Sequence, residues 1–134
     1  MNGYLLDTST CVAMFRGDSS VGAKLNEAGR ERCFITQIVL AELLFGAYRS
    51  KQVEKNLKQT YDFIQNVKML PYDECVETFA KERARLWDAG TPIEDFDLLI
   101  GCAAKAAGLT VVTHNVKHFS HIEGLEIEDW VKEM

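Results

Sequence analysis

The chain has no apolar run of the roughly 20 residues needed to cross a bilayer, and its N-terminus has no signal-peptide h-region. It therefore reads as a cytoplasmic protein with no membrane segment. Cysteine is sparse. Cys11, Cys33, Cys75 and Cys102 are widely spaced and form no C-x-x-C pair, which argues against a disulfide framework. Three of them lie in apolar segments and read as buried structural thiols. Proline occurs twice, at Pro71 and Pro92, each time where an element is expected to stop. Positive charge is in deficit, with a net charge of −5 and a pI near 5.2. That argues against broad nucleic-acid binding through a basic surface, and leaves room for a local basic patch, a carboxylate-rich site or a basic protein partner. Low-complexity stretches, internal repeats and linkers are also absent, so residues 1–134 read as one domain, long enough to bury a real core.

What is present is an alternation of short apolar runs with helical stretches. Tyr4-Leu5-Leu6 is too short for a helix and fits a buried parallel strand, ending in Asp7-Thr8-Ser9. Thr8 or Ser9 is expected to cap the helix that follows, and Ser19 or Ser20 the next one, which ends near Gly29. Cys33–Thr36 reads as a second strand. Thr36 then caps a helix over 38–45 that is apolar nearly all round and so expected to be buried. A helix with Val53, Leu57, Tyr61 and Ile64 at helical spacing comes next. Strand 67–70 follows, then a long helix from Asp73 to about 89. Asp95 is expected to cap a helix over 96–107 closed by Gly108. Residues 109–113 form the clearest strand by β-branched content, and 124–127 a short edge strand. This order predicts an α/β fold with right-handed crossovers and a parallel sheet covered on both faces.

Three carboxylates stand where burial penalises them. Asp7 ends an apolar strand, Glu42 interrupts the apolar run 38–45, and Asp97 lies between Phe96 and Leu98-Leu99-Ile100. Buried ionised acids are costly unless paired or metal-bound. Neither helical acid has a basic residue three or four positions away to neutralise it. All three fall near a strand end or a helix start, the edge where parallel sheets form a crevice. Converging acids repel one another, and a hard dication resolves that repulsion; oxygen donors favour Mg²⁺ or Mn²⁺ over zinc. Asn115, after strand 109–113, sits at the same edge and is a candidate to ligate the metal or hold its water. His114, His118 and His121 are the only histidines, and with no cysteine nearby they read as a solvated loop rather than a zinc site.

Four stretches together carry a resemblance: YLLDTS at 4–9, ITQIVLAELLFG at 35–46, PIEDFDLLIGCAAKAAGLTVVTHNVKHF at 92–119 and GLEIEDW at 124–130. In order and spacing the chain resembles the PIN-domain family, specifically VapC-type toxins of bacterial toxin–antitoxin pairs. The resemblance implies a three-layer α/β/α fold, Mg²⁺- or Mn²⁺-dependent endoribonuclease action, a homodimer, and a small VapB-like antitoxin whose C-terminal segment blocks the site. It places the family's acids on Asp7, Glu42 and Asp97. A fourth acidic position of many relatives falls on Asn115, so one negative charge is missing. Asp95 or Glu94 stands ready to compensate.

On this reading Asp7 and Asp97 are the principal ligands and Glu42 ligates or orients the attacking water. Thr8, Ser9 and Thr113 fix those carboxylates. A water nucleophile leaves a 5′-phosphate and a 3′-hydroxyl. RNA would be gripped by local positive charge, with Arg49, Lys51, Arg83 and Lys117 as candidates, and single-stranded or looped RNA fits best. Two rivals remain at this stage: a non-catalytic PIN-like binding scaffold, and a related metal nuclease acting on single-stranded DNA.

Overall fold

A computed structural model describes residues 3–71 and 75–132. The elements in chain order are β1 (Tyr4–Leu6), α1 (Thr8–Phe15), α2 (Ser19–Ala28), a single 3-10 turn (Arg30–Arg32), β2 (Cys33–Thr36), α3 (Gln37–Tyr48) and α4 (Val53–Ile64). Then come β3 (Lys68–Leu70), α5 (Val76–Asp88), α6 (Asp95–Ala107), β4 (Thr110–Val112), α7 (Val116–Phe119) and β5 (Ile127–Glu128). The predicted start of the long helix at Asp73 lies outside the described residues.

All five strands are parallel, in the order β3-β2-β1-β4-β5. Leu5 pairs with Phe34 on one side and with Val111 on the other, so β1 is the central strand. The strands are short because their apolar runs are short, and β1 to β4 are each followed by one or more helices that carry the chain back to start the next parallel strand. All four residues of β2 are buried, which requires cover on both faces of the sheet. This is the expected three-layer α/β/α arrangement. Leu5, Ile35, Val111 and Val112 form its inaccessible centre, and all four cysteines are buried and free. No helix among the described residues is long and apolar enough to cross a membrane.

The ends of several helices differ from expectation. Asp7, not Thr8 or Ser9, occupies the N-cap of α1, and it makes no side-chain cap bond there. Asp18 caps α2 by accepting from the Ser20 amide at 2.9 Å, in place of Ser19 or Ser20. A carboxylate competes well for such an amide because it is acceptor-only and favoured by the helix dipole. Glu94 takes the N-cap position of α6, with Asp95 and Asp97 inside its first turn. Thr36 caps α3 as expected, its hydroxyl accepting from the Val39 amide.

Helix α3 is less buried than its composition implies. Val39, Leu43 and Ala47 face the core, but Phe45 is 66% exposed and Tyr48 64%. On α4 Tyr61 is exposed, whereas Leu86 of α5 is part of the core. An amphipathic pattern locates an apolar face without saying whether a neighbour already covers it.

Candidate metal-binding crevice

Parallel topology sets the location. The carboxyl ends of β1 and β4 lie side by side, with Leu6 opposite Val112. Asp7 continues that register, its amide donating to the Val112 carbonyl at 2.9 Å. The side chain of Asp7 is therefore fixed to the core, and the residue is 2% exposed. Its Oδ2 accepts from Thr113 Oγ1 at 2.8 Å and from Ser9 Oγ at 3.0 Å. Those hydroxyls are themselves held. Ser9 Oγ accepts from the His114 amide and Thr113 Oγ1 from the Asn115 amide. Thr10, not singled out in the sequence, donates to the Val112 carbonyl at 3.0 Å and ties α1 to β4.

Glu42 reaches the same edge from the middle of α3. Thr8 donates its hydroxyl to Glu42 Oε1 at 2.5 Å. Asp97 arrives from the first turn of α6. It makes no hydrogen bond among the described residues, and the His118 ring lies close by, with Nδ1 at 3.7 Å from Asp97 Oδ2. No Lys or Arg pairs with Asp7, Glu42 or Asp97 among the described residues.

The three acids sense one another. Burial pushes Asp97 up to about 6, reinforced by the charges of Asp7, Glu94 and Glu42 and opposed by His118. Burial likewise raises Glu42 above the usual carboxylate range. The Thr8 hydroxyl works against that shift, while Asp7 and Glu94 add to it. Glu94 thus adds its negative charge to both Glu42 and Asp97. Asp95 is not part of the crevice: Arg83 Nε donates to Asp95 Oδ1 at 3.0 Å, and the Arg83 guanidinium lies over the Trp87 ring.

Asn115 is exposed and precedes α7, with its amide bound to Thr113. Arg49, Lys51 and Lys117 are exposed and form no ion pair among the described residues. Beside Glu42 a cleft of about 310 Å³ runs between α1, α3 and α4, lined in part by Phe15, Arg16, Leu43 and Gln59.

Among the described residues no three carboxylate, imidazole or thiolate groups stand close enough to cage a metal unaided. A cation such as Mg²⁺ or Mn²⁺ would bind there through one or two carboxylates and keep water for its remaining positions.

Sequence comparison matches the family model "PIN domain" over residues 4–125. The chain is 33% identical over 129 residues to the tRNA(fMet)-specific endonuclease VapC of Shigella flexneri, covering 95% of this chain and 97% of that protein. Among solved structures it is similar to the DNA-bound VapBC of Salmonella typhimurium, with a TM-score of 0.91 and 35% identity over 97% of this chain and 99% of that one. VapBC2 of Rickettsia felis, bound to a DNA fragment from its promoter, gives a TM-score of 0.89 at 32% identity over 97% and 99%.

Proposed function

The chain belongs to the PIN-domain family, and from that premise we propose that it is a VapC-type endoribonuclease toxin that depends on Mg²⁺ or Mn²⁺. The observation that carries this reading is the convergence of Asp7, Glu42 and Asp97, with burial and the neighbouring carboxylates holding Glu42 and Asp97 above their ordinary values and no Lys or Arg pairing with the three among the described residues. Folding against such repulsion has a purpose when a cation arrives to relieve it.

A bound divalent cation would supply Lewis acidity toward the phosphate and make water a better nucleophile at neutral pH. Asp7 and Asp97 are the residues to hold it. Asp7 contributes rigidity, because two hydroxyls fix the orientation of its carboxylate. Glu42, raised above the ordinary range and locked by Thr8, is placed to accept the proton of the attacking water. Hydrolysis leaves a 5′-phosphate and a 3′-hydroxyl. Arg49, Lys51 and Lys117 offer unpaired charge to the RNA backbone; Arg83, engaged by Asp95, is less available.

The partner is a VapB-type antitoxin, in keeping with the VapBC complexes that the chain resembles. The cleft beside Glu42 gives its C-terminal segment a partly apolar seat, and an arginine from it would meet the acids bidentately. The toxin itself is a homodimer.

The test is cleavage of total RNA and of single-stranded DNA by the purified chain, with Mg²⁺, Mn²⁺ or EDTA. RNA cleavage that needs metal and falls by about 10³-fold or more in Asp7→Asn, Glu42→Gln and Asp97→Asn is expected. Cleavage that survives EDTA or all three substitutions removes this reading. No cleavage of either substrate by the wild type favours the binding scaffold, and cleavage of DNA alone favours the deoxyribonuclease.

A further inference from the structure

We propose that His118 is a ligand of the crevice cation, supplying one nitrogen donor beside Asp97. The proposal rests on the metal-dependent reading above and goes beyond it, because an oxygen-only site becomes a mixed one.

The geometry sets His118 apart from the other two histidines. Its Nδ1 lies 3.7 Å from Asp97 Oδ2. That is too long for a hydrogen bond. Two donor atoms each about 2.1 Å from one cation stand ~3.0 Å apart at a right angle and ~3.6 Å apart near 120°. The separation exceeds the right-angle value of an octahedral ion by about 0.7 Å, which a small turn of the exposed His118 ring closes. His114 is committed elsewhere, its Nδ1 lying 3.1 Å from Asp129 Oδ2. His121 is placed through its carbonyl, which accepts from Arg85.

Asp97 is also the carboxylate with lone pairs to give. Asp7 accepts from two hydroxyls and Glu42 from one, whereas Asp97 accepts no hydrogen bond among the described residues. The imidazole is what faces it.

The position of His118 is imposed by packing. Its neighbour Phe119 is fully buried and Ile122 nearly so. Both press on α6 at Gly101, where an added Cβ would fall 2.3 Å from Ile122 Cδ1 and 3.2 Å from Phe119 Cδ1. Gly101 lies one turn beyond Asp97 on the same face. The absent side chain lets α7 approach closely enough for His118 to meet Asp97.

A nitrogen donor has a consequence for metal choice. Imidazole binds the later first-row ions well and Mg²⁺ poorly, so the mixed site should prefer Mn²⁺ to Mg²⁺.

The experiment uses the full chain stripped of metal and Mn²⁺ as the probe. Pulsed electron paramagnetic resonance reads ¹⁴N coupling from a bound imidazole, and calorimetry reads affinity. In wild type a histidine coupling is expected. It should vanish in both His118→Ala and His118→Gln, with Mn²⁺ affinity lowered roughly tenfold or more, and persist in His114→Ala. The side chain of His118 is 63% exposed, so both variants should fold, and a thermal melt checks this. Bound Mn²⁺ without nitrogen coupling, or coupling that persists in His118→Ala, overturns the role of His118 and leaves the metal-dependent reading intact. Failure of wild type to bind Mn²⁺ at all overturns both.

Discussion

Thr8 and Glu42 lie 34 positions apart in the chain and are joined by a 2.5 Å hydrogen bond from hydroxyl to carboxylate. The bond ties the first turn of α1 to the middle of α3, and it opposes the effect of burial on Glu42. In Thr8→Val the shape is kept and the donor lost. We expect a 10- to 100-fold loss in kcat, by analogy with other partners that orient catalytic ligands. The acid limb of the pH–rate profile should move to higher pH, because Glu42 rises further. An unchanged profile would mean that Thr8 does not act through Glu42.

Asp97 gives the metal-free protein a distinctive pH response. Its folded value, about 6, lies above the ordinary 3.8. Between those values the folded protein holds a proton that the unfolded chain has released. Its contribution therefore makes the metal-free fold more stable as pH falls from 7 toward 5, by on the order of 2 kcal/mol. Asp97→Asn should remove the penalty and raise the metal-free melting temperature at pH 7 by roughly 5 °C. Wild type in Mn²⁺ at about 100 times its dissociation constant should gain about 2.7 kcal/mol, and the variant far less. Melts with EDTA and with Mn²⁺ check all of these; a lower melting point for metal-free Asp97→Asn would indicate a buried salt bridge instead.

Glu82 should respond to pH with the opposite sign. Its side chain is 8% exposed and sits between Arg85 at 2.8 Å and Lys105 at 3.5 Å, with the Glu123 amide as a third donor. Arg85, first of all, holds its carboxyl below the usual range. This stability is present above the unfolded value of about 4.5 and lost as pH falls through the lower folded one. Glu82→Ala would unpin the 120–124 segment from α5 and α6, while Arg85 and Lys105, each about a third exposed or more, turn to solvent. A loss of about 1–2 kcal/mol is expected in denaturant melts at pH 7, shrinking toward pH 3.

The proposed dimer can be tested on α5. Val76 and Trp87, the latter 65% exposed, lie on its outer side with the partly buried Phe79 between them. Apolar surface of this kind at helical spacing suits a two-fold contact. Trp87→Glu should convert a dimer to a monomer in light scattering at micromolar concentration, with little change in melting temperature when extrapolated to low protein concentration. A wild-type protein that is already monomeric removes the dimer.

The acids of the crevice were legible because they violate a local rule. A carboxylate inside an apolar run with no basic neighbour on its own helix announces a distant purpose. Asp7, Glu42 and Asp97 all carry that signature. Glu82 does not: with Arg85 three residues on, it looks like an ordinary exposed pair, and only the packing of α6 and the 120s segment buries it. His118 was hidden for a related reason. Its sequence neighbourhood is polar, and its relation to Asp97 depends on the close approach of α7 over Gly101. Choosing between Glu94 and Asp95 required knowing which residue α6 starts on, which a sequence pattern places only to within a residue or two. The parallel sheet was readable from the alternation of short strands and helices. The exposure of Phe45 and Tyr48 was not, since composition alone does not tell which side of an apolar helix is covered.

The strand order also dictates when the protein becomes dangerous. β1 is made first, yet one of its neighbours, β4, comes 106 residues later, and Thr113 brings the second hydroxyl that holds Asp7. During synthesis the N-terminal acids emerge long before the segment that orders them. A nascent chain that has not yet reached β4 has an unclosed sheet edge where the crevice belongs. Activity is thus withheld until β4 and Thr113 have left the ribosome and docked beside β1.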